Sequence, residues 1–162
     1  MNYYNEIAEG YEELHKEEQE KKIKLIKKYL KPKQDEKLLD VGCGSGLTTR
    51  CWKCKRFGID PSEKLLEKAK ANDKNGTYAL ASAEKIPFSD RYFDIVVSIT
   101  AIQNFDNIEK GLREIKRVGK EKFVLSFLKK SPKSKYINST IQKLFNVNEI
   151  IEEEKDLIFL NV

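Results

Sequence analysis

The sequence predicts an α/β protein with a doubly wound, mostly parallel sheet of seven strands or slightly fewer and helices on both faces. Two observations predict this class. Short apolar segments alternate along the chain with segments of helical spacing, and the early apolar segments are nearly continuous, as in strands that are buried on both faces. The 162 residues, of which 40% are hydrophobic, fit one globular domain that needs no disulfide framework.

The individual elements follow from apolar spacing and turn residues. Strands are predicted at 37–41, 55–60, 77–80, 92–98, 123–128, 147–151 and 157–162. Helices are predicted at 47–52, 62–70, 107–118 and 135–144, with Pro61 in the first turn of the second. Helical spacing also occurs at 3–14 and again at 23–30. We expect a single domain, 1–162, in which residues 1–31 form helices that cover the ligand site and residues 36–162 form the sheet core.

Composition restricts the location and the chemistry. No apolar segment approaches the roughly 20 residues that span a bilayer, and the N-terminus lacks the pattern of a secretory signal, so we expect a cytoplasmic protein. Cys51 and Cys54 form a Cys-x-x-Cys pair, which is open to three interpretations: packing at a helix end, redox chemistry, or half of a metal site completed by a partner. His15 is the only histidine, and no metal site is expected within this chain.

A glycine-rich loop follows the first predicted strand. The loop reads Asp40-x-Gly42-x-Gly44-x-Gly46, and Asp60 lies eighteen residues after Gly42, at the end of the second strand. In a doubly wound sheet the ligand binds outside the carboxyl ends of the strands, where the strand order reverses. Glycines there allow close approach of a ligand to the backbone, and an acid at this distance can accept hydrogen bonds from both ribose hydroxyls. The combination predicts a nucleoside-containing ligand.

The glycine spacing distinguishes between nucleotides. In the dinucleotide fingerprint Gly-x-Gly-x-x-Gly, counted from Gly42, the third glycine falls on Leu47. That glycine supports close helix packing where a helix N-terminus receives pyrophosphate, so its absence disfavours NAD and FAD and an oxidoreductase. No Gly-Lys-Ser/Thr follows the loop, which excludes a Walker phosphate loop.

The motifs resemble those of the class I (Rossmann-like) S-adenosylmethionine-dependent methyltransferases. The segment 38–46 resembles their first motif, 58–62 their second-strand motif, and 83–98 the segment that leads into their fourth strand. The subgroup that includes quinone-biosynthesis methyltransferases and some tRNA-modifying ones is the most similar, and its opening Ile-Ala-x-x-Tyr is repeated at 7–11. The resemblance implies a Rossmann-like methyltransferase fold, S-adenosylmethionine as cofactor and S-adenosylhomocysteine as product.

The resemblance also implies a set of cofactor contacts. Backbone atoms of the loop would line the methionine part of the cofactor, an acid would lie near its ammonium, and a second acid would bind the ribose beside the adenine. In addition, Ser82 stands where many relatives have an acid that accepts from the adenine amino group. The implied cofactor-binding residues are Tyr11 (as a lid), Asp40 (near the ammonium), Gly42, Cys43, Gly44, Asp60 (ribose), Pro61, Ala83 and Glu84.

The methyl acceptor is less defined. Gln103 and Asn104, after the fourth strand, are candidates for orienting the acceptor, and no strong base is predicted beside them. The Asn/Asp-Pro-Pro-Tyr/Phe motif of relatives that methylate exocyclic amines of bases is missing, which disfavours that chemistry. Only a short loop separates Leu128 from Lys135, so a large substrate or a partner subunit would have to complete the acceptor site.

Charge supplies one further indication. Residues 110–143 contain eleven Lys or Arg and two Glu. The excess of positive charge in this segment is larger than the net charge of the whole chain, which is +5. Such a segment suits phosphate contacts, although it is also typical of a solvated surface. RNA and a small metabolite are therefore about equally open as methyl acceptors, and protein is the next candidate. The alternative is a methyltransferase-like subunit that binds the cofactor without catalysis of its own.

Overall fold

The computed structural model describes the backbone of residues 2–162 and the side chains of residues 12–162. The chain forms two compact units, Met1–Lys31 and Pro32–Val162. The first contains helix α1 (Asn2–Ile26), which is continuous where the sequence predicts two helical stretches, because the intervening Glu, Lys and Gln residues are strong helix formers. Within the described residues, no helix has both the length and the apolar character needed to cross a bilayer.

The second unit is built on a seven-stranded sheet in the order β3-β2-β1-β4-β5-β7-β6. Neighbouring strands from β1 to β5 are parallel, and β7 is antiparallel to both β5 and β6. This confirms the predicted mostly parallel α/β sheet. The strands are β1 (Lys37–Val41), β2 (Lys55–Asp60), β3 (Thr77–Leu80), β4 (Phe93–Ser98), β5 (Gly119–Leu128), β6 (Glu149–Glu152) and β7 (Asp156–Asn161).

The strand order reverses between β1 and β4. The chain runs outward from β1 through β2 to β3, then crosses back to β4 on the other side of β1. Their carboxyl ends are joined by a hydrogen bond from Ser98 Oγ to the carbonyl oxygen of Val41 at 2.8 Å. The crevice at this switch point is where a doubly wound sheet binds its ligand.

Helices pack on both faces of the sheet. Leu39 and Val41 lie in the large core cluster with α3 (Ile108–Val118) and α4 (Ser134–Leu144). The opposite face carries α2 (Glu63–Asn72), whose Leu66 and Ala69 form a second cluster with Cys43. Side chains therefore alternate between two buried faces, which explains why the strands read as nearly continuous apolar segments.

The predicted helix at 47–52 is wrong: this segment forms a series of turns. Thr48 and Thr49 direct their hydroxyls back to Asp40, and the indole Nε1 of Trp52 donates to the carbonyl oxygen of Thr48 at 2.8 Å. The N–H groups of Thr49 and Arg50 still donate to the Gly46 carbonyl oxygen, at 3.1 and 2.9 Å, and the side-chain bonds favour turns over a continued helix, as Ser and Thr side chains commonly do. The threonines are thereby held on the glycine loop.

Other boundaries differ from the prediction by one or more residues, and two of these differences have a clear physical cause. Ser62 is the N-cap of α2, accepting the Leu65 N–H at 3.2 Å, so Pro61 precedes the cap rather than lying in the first turn. Strand β5 begins at Gly119, directly after α3 and four residues before its predicted start at 123, and its pairing with β4 is irregular between Phe93 and Ile95. A Cβ at Gly119 would lie 2.7 Å from the Phe123 ring, so glycine lets the strand begin there.

Candidate active site

The glycine loop turns back onto the end of β2. The N–H groups of Gly42 and Cys43 both donate to the carbonyl oxygen of Ile59, at 2.9 and 3.0 Å. Gly42, Gly44 and Gly46 have φ values of +78°, +54° and +89°, which lie in the left-handed region that favours glycine. The motif therefore encodes a backbone shape that other residues would strain.

Gly42 also needs space. A Cβ at this position would lie 2.6 Å from Cβ of Ala101, in the segment after β4, whereas a Cβ at Gly44 would meet only Leu65 Cδ1 at 3.9 Å. The loop is thus packed against the β4 side at Gly42 and open at Gly44. An open backbone cradle of this kind admits a ligand directly against the chain.

Asp60 binds the loop from the end of β2. Its Oδ2 accepts the N–H of Gly44 and its Oδ1 accepts the N–H of Ser62, both at 2.9 Å, and the residue is 8% exposed. Each carboxylate oxygen has two lone pairs, so one lone pair on each oxygen remains for a ligand. Asp60 therefore orders the loop, a role that the sequence does not predict, and can still accept hydroxyl groups.

Asp40 is fully buried beneath the loop. Its Oδ2 accepts the hydroxyls of Thr48 at 2.6 Å and Thr49 at 2.7 Å, and its Oδ1 has no hydrogen-bond partner among the described residues. Burial raises the pKa of Asp40 to about 6, against the lowering effect of the two hydroxyls, and the nearby charge of Asp60 raises it further. A buried carboxylate with an unsatisfied oxygen is suited to a cationic ligand group.

Cys43 and Ala83 are both packed into the interior. Cys43 is 4% exposed and its thiol pKa is raised by burial and by Asp40, so it stays protonated and contributes backbone and bulk rather than thiolate chemistry. Its Sγ lies 2.8 Å from the position that a Cβ on Gly58 would take. Ala83 is 8% exposed and belongs to the core cluster of α3.

The loop at 82–84 contains one buried polar atom without a hydrogen-bond partner among the described residues. Glu84 is partly exposed, but its Oε2 is buried and has no hydrogen-bond partner among the described residues. An acceptor on Glu84 lies two residues after the serine that replaces the usual acid. Glu84 is therefore the acid of this loop that is available for a donor.

The two candidate acceptor-orienting residues differ in their surroundings. The side-chain amide of Gln103 is used by the backbone: Nε2 donates to the Thr100 carbonyl oxygen at 2.8 Å, and Oε1 accepts the Leu128 N–H at 3.4 Å. Asn104 is exposed at the end of a 3₁₀ turn, Ile102–Asn104. Gln103 thus joins the segment after β4 to the end of β5, and Asn104 faces solvent.

The basic segment separates into paired and unpaired charges. Six of its eleven cations form ion pairs: Arg113, Arg117, Lys120, Lys122, Lys129 and Lys143. Lys110 and Lys116 of α3 are exposed and form no ion pair among the described residues. Lys130, Lys133 and Lys135 are likewise exposed, with no ion pair among those residues. We call these three residues the lysine patch; they follow β5 at the carboxyl edge of the sheet, beside Tyr136, which is 51% exposed.

Cys51 and Cys54 are both partly buried. Burial raises the pKa of Cys54 to about 11, so the thiolate needed for redox exchange is scarce at neutral pH. Among the described residues, no group of three or more His, Cys, Asp or Glu side chains is placed to hold a metal ion. The partial burial of the pair and the raised pKa of Cys54 favour packing over redox exchange.

The side chain of Tyr11 lies outside the described residues, so its role as a lid stays a prediction.

Several other residues of this site have no signal in the sequence. Thr48 and Thr49 stand out only after Asp40 is known to be buried, and the buried Asp156, which contacts the segment after β4, lies in another strand 56 residues beyond Thr100. Only the fold brings these residues together.

The arrangement fits S-adenosylmethionine. The unsatisfied oxygen of Asp40 suits its ammonium, the open backbone at Gly44 suits its methionine part, and the free lone pairs of Asp60 suit its ribose hydroxyls. No part of the described loop is arranged as a helix N-terminus for pyrophosphate, since turns follow Gly46.

Comparison with known proteins supports the same cofactor. A family model described as a methyltransferase domain matches residues 39–127, more than half of the chain. Demethylmenaquinone methyltransferase of Thermotoga maritima is 36% identical over 102 residues, which is 60% of this chain and 44% of that protein. An uncharacterized protein of Methanocaldococcus jannaschii is 30% identical over an alignment that covers 100% of this chain and 83% of its own length. The chain spans about half the length of the first curated relatives it matches.

Solved structures show the same fold. A putative methyltransferase of Haloferax volcanii, in complex with the Trm112 methyltransferase activator, has a TM-score of 0.76 at 16% identity and covers 95% of this chain and 92% of its own. A methyltransferase from Aquifex aeolicus that depends on S-adenosylmethionine has a TM-score of 0.67 at 21% identity, covering 85% and 86%. With the family model, the sheet order and the site geometry in agreement, this chain belongs to the class I S-adenosylmethionine-dependent methyltransferases.

Proposed function

We propose that this protein transfers the methyl group of S-adenosylmethionine to RNA. The observation that carries the choice of acceptor is the lysine patch, whose three exposed cations form no ion pair among the described residues and follow β5 at the same edge of the sheet as the cofactor loop. Gln103, in the segment after β4, accepts the N–H of Leu128 at the end of β5, so the ends of these two strands are joined. A polyanion that contacts the patch would therefore pass close to the end of β4, where the methyl group is expected.

The cofactor is held by this chain's own residues in the proposed mechanism. Bound S-adenosylmethionine supplies an electrophilic methyl group on a good leaving group. Gly42, Cys43 and Gly44 line its methionine part, Asp40 attracts its ammonium, and Asp60 accepts its ribose hydroxyls. Pro61, Ala83 and Glu84 surround its adenine, with Oε2 of Glu84 as the acceptor for the amino group.

Positioning contributes most of the rate in this proposal. A methyl transfer in line with the departing sulfur depends on holding two reactants at short range, and orientation of this kind is worth up to about 7–11 kcal/mol. Asn104, exposed after β4, is available to orient the acceptor, while Gln103 fixes the backbone from which Asn104 projects. RNA bound along the lysine patch would supply the wall that the short loop after β5 leaves open.

Charge reversal of the lysine patch tests the acceptor. We expect Lys130→Glu, Lys133→Glu and Lys135→Glu together to weaken RNA binding and methylation at least about ten-fold and to reduce the salt slope by about 2–3, since each lysine neutralises a phosphate. The measurement is transfer of radiolabel from S-adenosylmethionine to RNA, protein and small-molecule fractions of a cell extract, at several salt concentrations.

A matched control reverses three exposed lysines near the amino ends of the strands, Lys53, Lys70 and Lys74. This control changes the net charge equally and should leave RNA methylation within about two-fold, because these lysines lie at the opposite edge of the sheet. Equal losses in the two variants, or label in small molecules alone, would contradict RNA as the acceptor.

The ionisation of Asp40 predicts the pH dependence of cofactor binding. If the cofactor ammonium requires the carboxylate form, a pKa of about 6 leaves about one tenth of Asp40 ionised at pH 5 and about nine tenths at pH 7. We expect the affinity for S-adenosylhomocysteine, measured by calorimetry, to be about ten-fold lower at pH 5 than at pH 7. Asp40→Asn should bind weakly with a flat profile between these pH values; a flat profile in the wild-type protein would argue against the ammonium contact.

The second candidate is a cofactor-binding subunit that acts only within a complex. It is supported by the fold similarity to the Haloferax volcanii methyltransferase, whose structure contains the Trm112 activator. The labelling experiment separates the two candidates: binding of S-adenosylhomocysteine with no transfer to any fraction of the extract would favour the subunit role.

A further inference from the structure

Thr100, two residues after β4, has an unusual backbone conformation. Its φ is +55°, in the left-handed region that β-branched side chains avoid. Such a conformation persists only where surrounding contacts enforce it, and it occurs often at functional sites. The neighbouring residues therefore have to account for the conformation of Thr100.

Each polar group of Thr100 is bound. Its N–H donates to Ser126 Oγ at 2.9 Å, its Oγ1 donates to Asp156 Oδ2 at 2.6 Å, and its carbonyl oxygen accepts from Gln103 Nε2 at 2.8 Å. Ser126 Oγ itself donates to the same Asp156 oxygen at 2.8 Å. Asp156 is fully buried at the start of β7, opposite Leu128 of β5. A buried carboxylate thus orients both hydroxyls that define the position of Thr100.

The conformation of Thr100 determines the position of Ala101. Cβ of Ala101 lies 2.6 Å from where a Cβ on Gly42 would be, so the two residues are in direct contact at the first glycine of the cofactor loop. If Thr100 relaxed to an extended conformation, the following peptide would turn and Ala101 would leave Gly42. The loop would then lose the wall that packs it at the switch point.

We propose that Asp156 is a positioning residue for the cofactor loop: through Thr100 it keeps Ala101 seated on Gly42. The contact passes from β7, through the end of β4, to the loop after β1. This proposal depends on the cofactor site and not on RNA as the acceptor. It predicts that loss of the carboxylate lowers cofactor affinity in protein that is still folded.

The reason is a change in population. Without the carboxylate, Thr100 leaves the left-handed region for most of the time, and the measured affinity falls by the fraction of molecules that keep the competent loop. Glycine adopts positive φ without the steric penalty of threonine. Replacement of Thr100 by glycine should therefore make Asp156 largely dispensable.

A double-mutant cycle tests the proposal. The variants are Asp156→Ala, Thr100→Gly and their combination, with affinity for S-adenosylhomocysteine measured by calorimetry at a temperature where thermal unfolding shows each to be folded. We expect Asp156→Ala to bind about ten-fold more weakly than wild type, Thr100→Gly to bind within about three-fold of wild type, and the double variant to bind within about three-fold of Thr100→Gly. Should Asp156→Ala not fold, Ser126→Ala offers a second test. It removes the hydroxyl that accepts the Thr100 N–H, and it should also lower the affinity for S-adenosylhomocysteine.

The outcomes separate the proposal from its alternatives. A merely structural carboxylate would lower the unfolding temperature of Asp156→Ala while its folded fraction bound normally, and that result would overturn the proposal. Additive losses in the double variant would overturn it as well, because Thr100 would then not be the route. Failure of the wild-type protein to bind would overturn the cofactor assignment, and this proposal with it.

Discussion

Replacement of Asp60 by alanine is expected to lower the affinity for S-adenosylhomocysteine about 100-fold or more. The carboxylate accepts two backbone N–H groups, from Gly44 and Ser62, and hydrogen bonds to a charged group contribute about 1.5–3 kcal/mol each. Alanine would leave both N–H groups without this acceptor, and it would also remove the proposed ribose contact. Loop order and direct binding are therefore lost in one change.

Asp60→Asn is the matched control for that experiment. The amide oxygen can still accept one backbone N–H, but the NH₂ group then faces the other N–H. We therefore expect an affinity for S-adenosylhomocysteine between that of the wild-type protein and that of Asp60→Ala. Calorimetry gives the affinities, and thermal unfolding shows whether each variant is folded. Unchanged affinity in a folded Asp60→Ala variant would refute both roles of this residue.

The fold was predictable from the sequence because its signals are local. β3 was predicted to the residue, at 77–80. α3 begins at Ile108, one residue after its predicted start, because Asn107 caps it and accepts the Lys110 N–H at 3.1 Å. The turns at 47–52 were not predictable in this way. The apolar and polar spacing of this segment is compatible with a helix, but three side-chain hydrogen bonds to Asp40 and to the Thr48 carbonyl oxygen favour turns instead.

The candidate site was predictable only where one short segment contains it. The glycines and Asp60 have a recognisable spacing, and the structure places them in contact through the Gly44 N–H. Asp156 and Ser126 approach Thr100 from two other strands, and no spacing in the sequence relates them. The charge of the basic segment was visible in the sequence, but Lys120, Lys122, Lys129 and Lys143 pair with acids that only the fold brings near.

The first two glycines of the loop provide the other large effect, because they differ in what a methyl group would meet. Gly42→Ala places a Cβ 2.6 Å from that of Ala101 at a φ of +78°. Overpacking costs about 1–3 kcal/mol and a left-handed alanine about 1–2 kcal/mol, so we expect the free energy of unfolding to fall by about 3–4 kcal/mol in denaturant titration. The clash between the new methyl group and Ala101 cannot be relieved unless either the loop or the segment after β4 moves.

Gly44→Ala separates steric packing from ligand access. Its φ of +54° carries the same conformational cost, about 1–2 kcal/mol, but its Cβ would meet only Leu65 Cδ1 at 3.9 Å. The variant should therefore stay folded and yet bind S-adenosylhomocysteine at least about ten-fold more weakly, because the new methyl group enters the space assigned to the methionine part of the cofactor. Equal destabilisation of the two variants would show that the contact with Ala101 is unimportant, and normal binding by Gly44→Ala would mean that the cofactor does not approach the backbone there.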